Sequence, residues 1–288
     1  MKYLLSFTFR ATAERTLFLL GIRNYELGIR LGAPFFILSR PLSPLPSSPV
    51  GFLSRFLHSL VYIPYLCTMI HIALDKRIVA ACPEVHIGLV RAHVVNSPTS
   101  DELWREIEDA AAQVASRYEL LAINQRPAIA ATRRLYKALG KDPGRYRVAS
   151  EQLCRRIVRG LGLYRLTTLI DTVNLVSIVS GYAISGLDAD RIVGDTLTMG
   201  VGQAGESYNG IGRGALNIEG MPVYRDQMGG VATPTSDEER TKFTMETSTV
   251  QICINAFAPE MPLQQAVDMM GSLLQRYAQA THIETDIY

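Results

Sequence analysis

Apolar positions recur along this chain with two periods, and the switch between them marks out its elements. Residues 85–95 (VHIGLVRAHVV) form a run of apolar and β-branched residues that stops at Asn96-Ser97-Pro98, the pattern of a strand entering a turn. Behind it, Leu103, Ile107, Val114, Tyr118 and Leu121 share one helical stripe, and Thr99 precedes Glu102 with capping-box spacing. An amphipathic helix of about six turns is predicted there. Pro127 suits the first turn of a second helix, ended by Gly140 and Pro143, and Ser150 opens a third that Gly160 closes. Residues 167–180 (TTLIDTVNLVSIVS) are almost wholly apolar, so Asp171 and Asn174 within them must find partners.

From Arg191 to Phe257 the texture becomes β, with short β-branched segments (RIVGDTLTMGVG, GALNIEGMPVYRD, TSTVQICINAF) separated by Gly, Asp and Pro. A closing helix is predicted over residues 263–277, burying Val267, Met270 and Leu274. Helices and strands alternate from Met69 without a linker-like gap, which makes one α/β or α+β domain the economical reading.

The first 68 residues stand apart. They carry seven Lys/Arg against two acids, repeat Leu-Gly-Ile-Arg at an interval of seven, and continue into PLSPLPSSPV. Met69 offers a fresh start, with the strand-like Ile70, Ile72 and Leu74 behind it. Residues 1–68 therefore read as an extension such as a mis-assigned start would add. Arg10, Glu14 and Arg15 interrupt any signal-peptide core, and Arg55, His58, Pro64 and His71 interrupt any membrane span in residues 51–74, so membrane contact is not expected.

Composition and charge narrow the function. With 288 residues, 48% hydrophobic and 19% charged, the chain is globular, which excludes disorder, collagen and coiled coil. Cys67, Cys82, Cys154 and Cys253 lie far apart with no CxxC, and the histidines show no paired spacing. No metal and no cofactor are expected, and the thiols read as small buried hydrophobes in a reducing, cytoplasmic compartment. Residues 69–288 hold 22 basic and 25 acidic residues, yet residues 133–165 hold ten Lys/Arg with only Asp142 and Glu151. Tyr136, Tyr146 and Tyr164 interleave Arg133, Arg134, Lys137, Lys141, Arg145, Arg147, Arg155 and Arg156. Guanidinium forks grip phosphate and tyrosines stack on unpaired bases, so an RNA surface fits; a solvated helix face balancing the acidic remainder fits equally.

Two further constellations could carry chemistry. Gly210-Ile-Gly212-Arg213-Gly214-Ala215 formally satisfies G-x-G-x-x-G/A, but a strand and turn come after it, whereas a dinucleotide needs a helix N-terminus there. A loop bringing backbone close to a ligand, with Arg213 toward it, is the better expectation. The hydroxyl- and carboxylate-rich run from Thr233 through Asp237 to Thr241, then Thr244, Glu246, Thr247 and Thr249, could bind an amino-acid ligand or position a water; a capped turn explains it as well. No Ser-His-Asp or Cys-His arrangement has supporting context.

On LYKALGKDPGRYRVASEQLCRRIVRGLGLYRLTTLIDTVNLVSI, GIGRGALNIEGMPVYRD and TPTSDEERTKFTMETSTV, the chain from about Met69 onward resembles the B3/B4 domain. That domain is known as the editing and tRNA-associated domain of the phenylalanyl-tRNA synthetase β subunit. The resemblance implies a single α+β domain over residues 69–288, a β-sandwich of unusual topology flanked by helices. It implies a tRNA or aminoacyl-tRNA partner, with no DNA partner expected, and hydrolysis of mischarged aminoacyl-tRNA in trans. The alternative is a non-catalytic module that holds RNA or a free amino acid. Asp171 and Asn174 resemble the Asp and Asn of its D-x-x-N-Y-V segment, and Thr244, Glu246 and Thr247 its T-x-E-T segment. Candidate catalytic groups are then Asn174, Glu246 and Thr247, and candidate substrate-binding groups Asp171, Gly212, Arg213, Gly214 and Thr244. Ser185 stands where the synthetase has a histidine, which removes imidazole from the site.

A fragment of residues 69–288 is predicted to unfold at the same denaturant midpoint as the full chain. A lower midpoint, or an insoluble fragment, would show that residues 1–68 belong to the fold.

Overall fold

The computed structural model describes residues 27–29, 36–38 and 70–288. It divides into two units, residues 1–67 and 68–288. In the first, β1 (Leu27–Ile29) pairs antiparallel with β2 (Phe36–Leu38). The expectations placed on the rest of residues 1–68, from the mis-assigned start to the missing membrane contact and Cys67, lie outside the described residues.

The second unit runs β3 (His71–Leu74), α1 (Lys76–Ala81), β4 (His86–His93), α2 (Asp101–Arg117), α3 (Pro127–Ala138), α4 (Ala149–Val158), α5 (Thr168–Ser180) and β5 (Ala183–Asp188). Next come β6 (Thr196–Val201), β7 (Asn209–Gly210), β8 (Gly214–Ala215), β9 (Pro222–Arg225), β10 (Gly230–Ala232), β11 (Thr249–Ala256), α6 (Leu263–Tyr277) and β12 (Thr281–Ile287). Two four-stranded sheets form, in the orders β10-β9-β6-β3 and β12-β4-β11-β5. Only the β3–β6 pairing is parallel in them.

The strand period of two decides which core each side chain enters. Ile87 and Leu89 of β4, Leu187 of β5 and Cys253 of β11 join Ile72, Leu197, Met199, Tyr224 and Val231 of the other sheet, so the sheets pack as a sandwich. The intervening residues Val90, Ala92, Ile184, Val250, Ile252 and Ile254 point to the opposite side, where Leu103, Ile107, Ile157, Leu175, Val267 and Met270 cover them. The fold is thus α+β, a sandwich with helices over one face and with Ile78 of α1 and Ala131 and Leu135 of α3 joining the inter-sheet core.

Several boundaries differ from the sequence reading, each for a local reason. Ser100, not Thr99, caps α2 by accepting from Leu103 N–H at 3.2 Å. The Thr99 hydroxyl is taken by Asp171 at 2.5 Å. Tyr118 turns extended, so α2 stops after 17 residues and leaves Leu121 79% exposed. Helix α4 begins after Val148, which places Ser150 inside it. Cys154 and Cys253 are buried, while Cys82 is half-buried. Among the described residues, no helix is long and apolar enough to cross a membrane.

The helical layer is locked by Arg126, whose side chain is 1% exposed. It donates to Glu260 at 2.7 Å and to the last carbonyls of α5, Ile178 at 2.8 Å and Val179 at 3.1 Å. Glu260 in turn accepts from Ala128 N–H at the start of α3, at 3.2 Å. Gly181 ends α5 in the left-handed region (φ 76°), where a Cβ would run into the Glu260 carboxylate. Breaking a buried pair by removing one partner strands the other charge. Arg126→Ala is therefore expected to cost about 3–5 kcal/mol, read from the denaturant unfolding midpoint, whereas a loss below about 1 kcal/mol would deny the lock.

Candidate functional site

The cationic segment folds as α3, a loop and α4, and its charges split into two groups. Glu151, buried in the first turn of α4, receives Arg133 at 2.8 Å, Arg155 at 2.8 Å and Arg147 at 3.7 Å. Arg133 also donates to Pro143 C=O at 3.0 Å and Arg155 to Leu120 C=O at 3.2 Å, so both are tied into the frame. Lys141 is buried, donating to Asn217 C=O at 2.7 Å beneath the Tyr146 ring. Arg134, Lys137, Arg145 and Arg147 are exposed. Arg156 crosses the Tyr164 ring at 4.2 Å, fixed by Gly162 C=O at 3.1 Å. Of the interleaved tyrosines, Tyr136 is fully buried against Thr235 at 2.9 Å, Tyr146 is half-buried, and Tyr164 is 66% exposed.

The apolar run around Asn174 is α5, and its N-terminus meets the turn at residues 244–247 through a residue that sequence reasoning passed over. Asn96 donates to Thr244 C=O at 2.9 Å and accepts from Leu169 N–H at 3.2 Å. Asp171 accepts from Thr99 and, at 2.9 Å, from Leu166 N–H; burial still pushes its carboxyl up. The Thr247 hydroxyl accepts from Thr244 N–H at 2.9 Å and donates to Asp188 at 2.8 Å, which joins the turn to the end of β5. Glu246 projects into solvent, its carboxyl held below the usual range by the Thr244 hydroxyl. Asn174 is half-buried in mid-helix and makes no hydrogen bond to Arg213 or to residues 244–247 among the described residues.

The glycine segment is a hairpin, β7 and β8, with Gly212 (φ 65°) and Gly214 (φ 69°) in the left-handed conformation that its tight turn requires. Arg213 reaches Gln152 of α4 at 2.8 Å. The hairpin sits on the segment after β10, with Ile211 N–H donating to Asp237 C=O at 2.9 Å and Gly212 N–H to Glu239 at 3.3 Å. Below it the Asp237 carboxylate accepts from Gly186 N–H of β5 at 3.0 Å. Burial pushes this carboxyl up to about 7, and Cys253 nearby is pushed to about 12. Asp237 lay in a hydroxyl-rich run; its burial against β5 had no signature there. Strand β5 thus links the two groups, meeting Asp237 at Ser185 and Gly186 and Thr247 at Asp188. Among the described residues no cluster of three or more His, Cys, Asp or Glu could hold a metal ion.

A family model described as the B3/4 domain matches residues 131–279. Among solved structures, an N-terminal fragment of the phenylalanyl-tRNA synthetase beta-subunit from Pyrococcus horikoshii is similar, with TM-score 0.38 and 13% identity over 73% of this chain and 49% of that one. The alignment thus spans about half of that fragment. No curated protein matches this chain.

The hydrogen bonds separate structural from free groups. Thr247→Val, which leaves the Thr244 N–H without its acceptor and takes one donor from Asp188, is expected to lose about 1–3 kcal/mol in urea unfolding. Asn174→Ala should stay within about 0.5 kcal/mol of the parent. Equal losses would mean that Asn174 is also tied down.

Proposed function

We propose that this chain, which belongs to the B3/4 domain family, binds tRNA through the cationic face of α3, α4 and their connecting loop and hydrolyses mischarged aminoacyl-tRNA in trans. The supporting observation is the surplus of guanidinium on that face. Three arginines share the single Glu151 carboxylate, and Arg134, Lys137 and Arg145 add exposed charge against which the segment sets only Asp142. An array of this kind favours a polyanion whose phosphates take the unspent hydrogen-bond capacity. Tyr164, exposed beside Arg156, offers a stacking surface for an unpaired base. In this reading Asn174 and Glu246, the latter steadied by the Thr244 hydroxyl, supply polar groups near the ester, while Asp171, Thr244 and Thr247 hold their frame. Gly212, Arg213 and Gly214 form the wall opposite, and the protein works in the cytoplasm where charged tRNA is found.

A second reading, a module that holds RNA or a free amino acid without turnover, is favoured by one observation: the Thr247 hydroxyl is already committed on both sides. Incubation with a panel of misacylated tRNAs separates the two readings. Release of amino acid, diminished by Glu246→Ala with tRNA affinity unchanged, supports the enzyme, and binding without release supports the module.

Affinity should fall linearly in log–log form with salt, by about 0.7–0.9 per phosphate contact. Arg134→Ala, Lys137→Ala and Arg145→Ala should each make the slope shallower by about one contact. Affinity indifferent to salt would remove the RNA reading.

A further inference from the structure

Acids that fold inward in this protein are generally met by arginine: Glu151 by Arg133 and Arg155, Glu206 by Arg225, Asp226 by Arg240, Glu260 by Arg126. Two acids depart from that pattern: Asp171, met by Thr99 and the Leu166 N–H, and Asp237. Strand β5 offers Asp237 the Gly186 N–H at 3.0 Å, and the Ser185 side chain lies alongside without a hydrogen bond to it. The groups facing it from other elements are Tyr224 of β9, Cys253 of β11 and Tyr208 ahead of β7, with Glu238 adjacent in the chain. Among the described residues no cation pairs with it.

The neighbours are also turned away from it. The Tyr224 hydroxyl donates to Asn255 at 2.7 Å and the Tyr208 hydroxyl to Ser236 C=O at 2.7 Å. Ser185 is 1% exposed and its Oγ has no hydrogen-bond partner, an expensive state for a buried hydroxyl. Asp237 itself retains some accessible surface beside the β7–β8 hairpin. A carboxyl with no cation, next to an unsatisfied hydroxyl and on a residue that keeps some accessible surface, is arranged to receive a water.

We infer that Asp237 is the general base of the proposed hydrolysis, with the Ser185 hydroxyl as a positioning group that orients the water against it. The inference rests on the aminoacyl-ester reading above and assigns the proton acceptor of that reaction. The water oxygen bonds to the ester carbonyl carbon while its proton passes to the Asp237 carboxylate. The bond from that carbon to the ribose oxygen then breaks, and Asp237 returns the proton to that oxygen. The products are the free amino acid and the tRNA hydroxyl. A base titrating near the working pH is the efficient kind, and burial brings this carboxyl there.

The experiment is deacylation of a misacylated tRNA by the full chain across pH 5–9, with Asp237→Asn and Ser185→Ala alongside. The wild-type kcat/KM should rise with pH and reach half its plateau near 7. Asp237→Asn should lower it about 10²–10⁴-fold and abolish the rise, with tRNA affinity unchanged. Ser185→Ala should lower kcat while the midpoint in pH persists. A readout independent of turnover is stability. A carboxyl raised in the folded state destabilises it as pH climbs from about 4 to 7, so the gap in unfolding midpoint between wild type and Asp237→Asn should open over that range. Wild-type turnover with an unaltered rate and pH profile in Asp237→Asn overturns this assignment and leaves the hydrolase reading standing. Absence of turnover from every misacylated tRNA overturns the hydrolase reading and this assignment with it. A gap in midpoint that does not change with pH shows that Asp237 is an ordinary carboxylate.

Discussion

Strand β11 governs the molecule because it has no exposed residue. It lies between β4 and β5, and each of its side chains enters one of two cores. Val250, Ile252 and Ile254 anchor the helical layer, so any slip by one residue would send them into the sandwich. On the sandwich side stand Gln251, Cys253 and Asn255; the Gln251 Nε2 finds no hydrogen-bond partner among the described residues, whereas Asn255 obliges neighbouring elements to answer. Asn255 is met by the Tyr224 hydroxyl and by Ala183 C=O at 2.8 Å, which ties both sheets together by hydrogen bonds as well as by burial. The nest around Asp237 is part of that response, since β5 can present Ser185 and Gly186 only in the register that β11 dictates.

The basic segment shows how one composition supports two roles. A run of arginines reads alike in sequence whether its charges reach solvent or a buried carboxylate. Glu151 decides between them: the arginines one helical turn away on α4 and across on α3 fold back onto it, whereas those at the loop and on the outer face of α3 do not. The same carboxylate therefore sets the stability of the segment and the amount of charge left for a partner.

The amphipathic helices and the long inner strands were legible because burial on one side imposes a period. Helix α5 carried no such mark: helices and a strand surround it, so its run is apolar on nearly every face and looks like a buried strand as readily as a helix. Strand β12 was invisible for the opposite reason, an edge strand whose THIETDI keeps mostly polar residues at the surface. The hairpin character of the glycine segment could be read from the strand-like LNIEGMPVYRD behind it, which leaves no helix to receive a pyrophosphate. The bridging roles of Asn96 and Asp188 could not, since each depends on elements some 60 to 150 residues away. Ser100 and Thr99 illustrate the finest grain, where two adjacent hydroxyls compete for one cap and a carboxylate on another helix settles the outcome.

The pairing of β4 with β11 also shapes how the chain is made. At ordinary translation speeds, on the order of 5–20 residues per second, the strand at residue 93 waits roughly ten seconds or more for its partner at residue 249. During that interval the apolar faces of α2, α4 and α5 have no sheet to cover them. Their mutual packing, which Arg126 can support through the Ile178 and Val179 carbonyls before Glu260 is made, must shelter them until the central strand arrives. For that interval the apolar surface of three helices is covered only by the helices themselves, the physical condition under which a chain aggregates most readily.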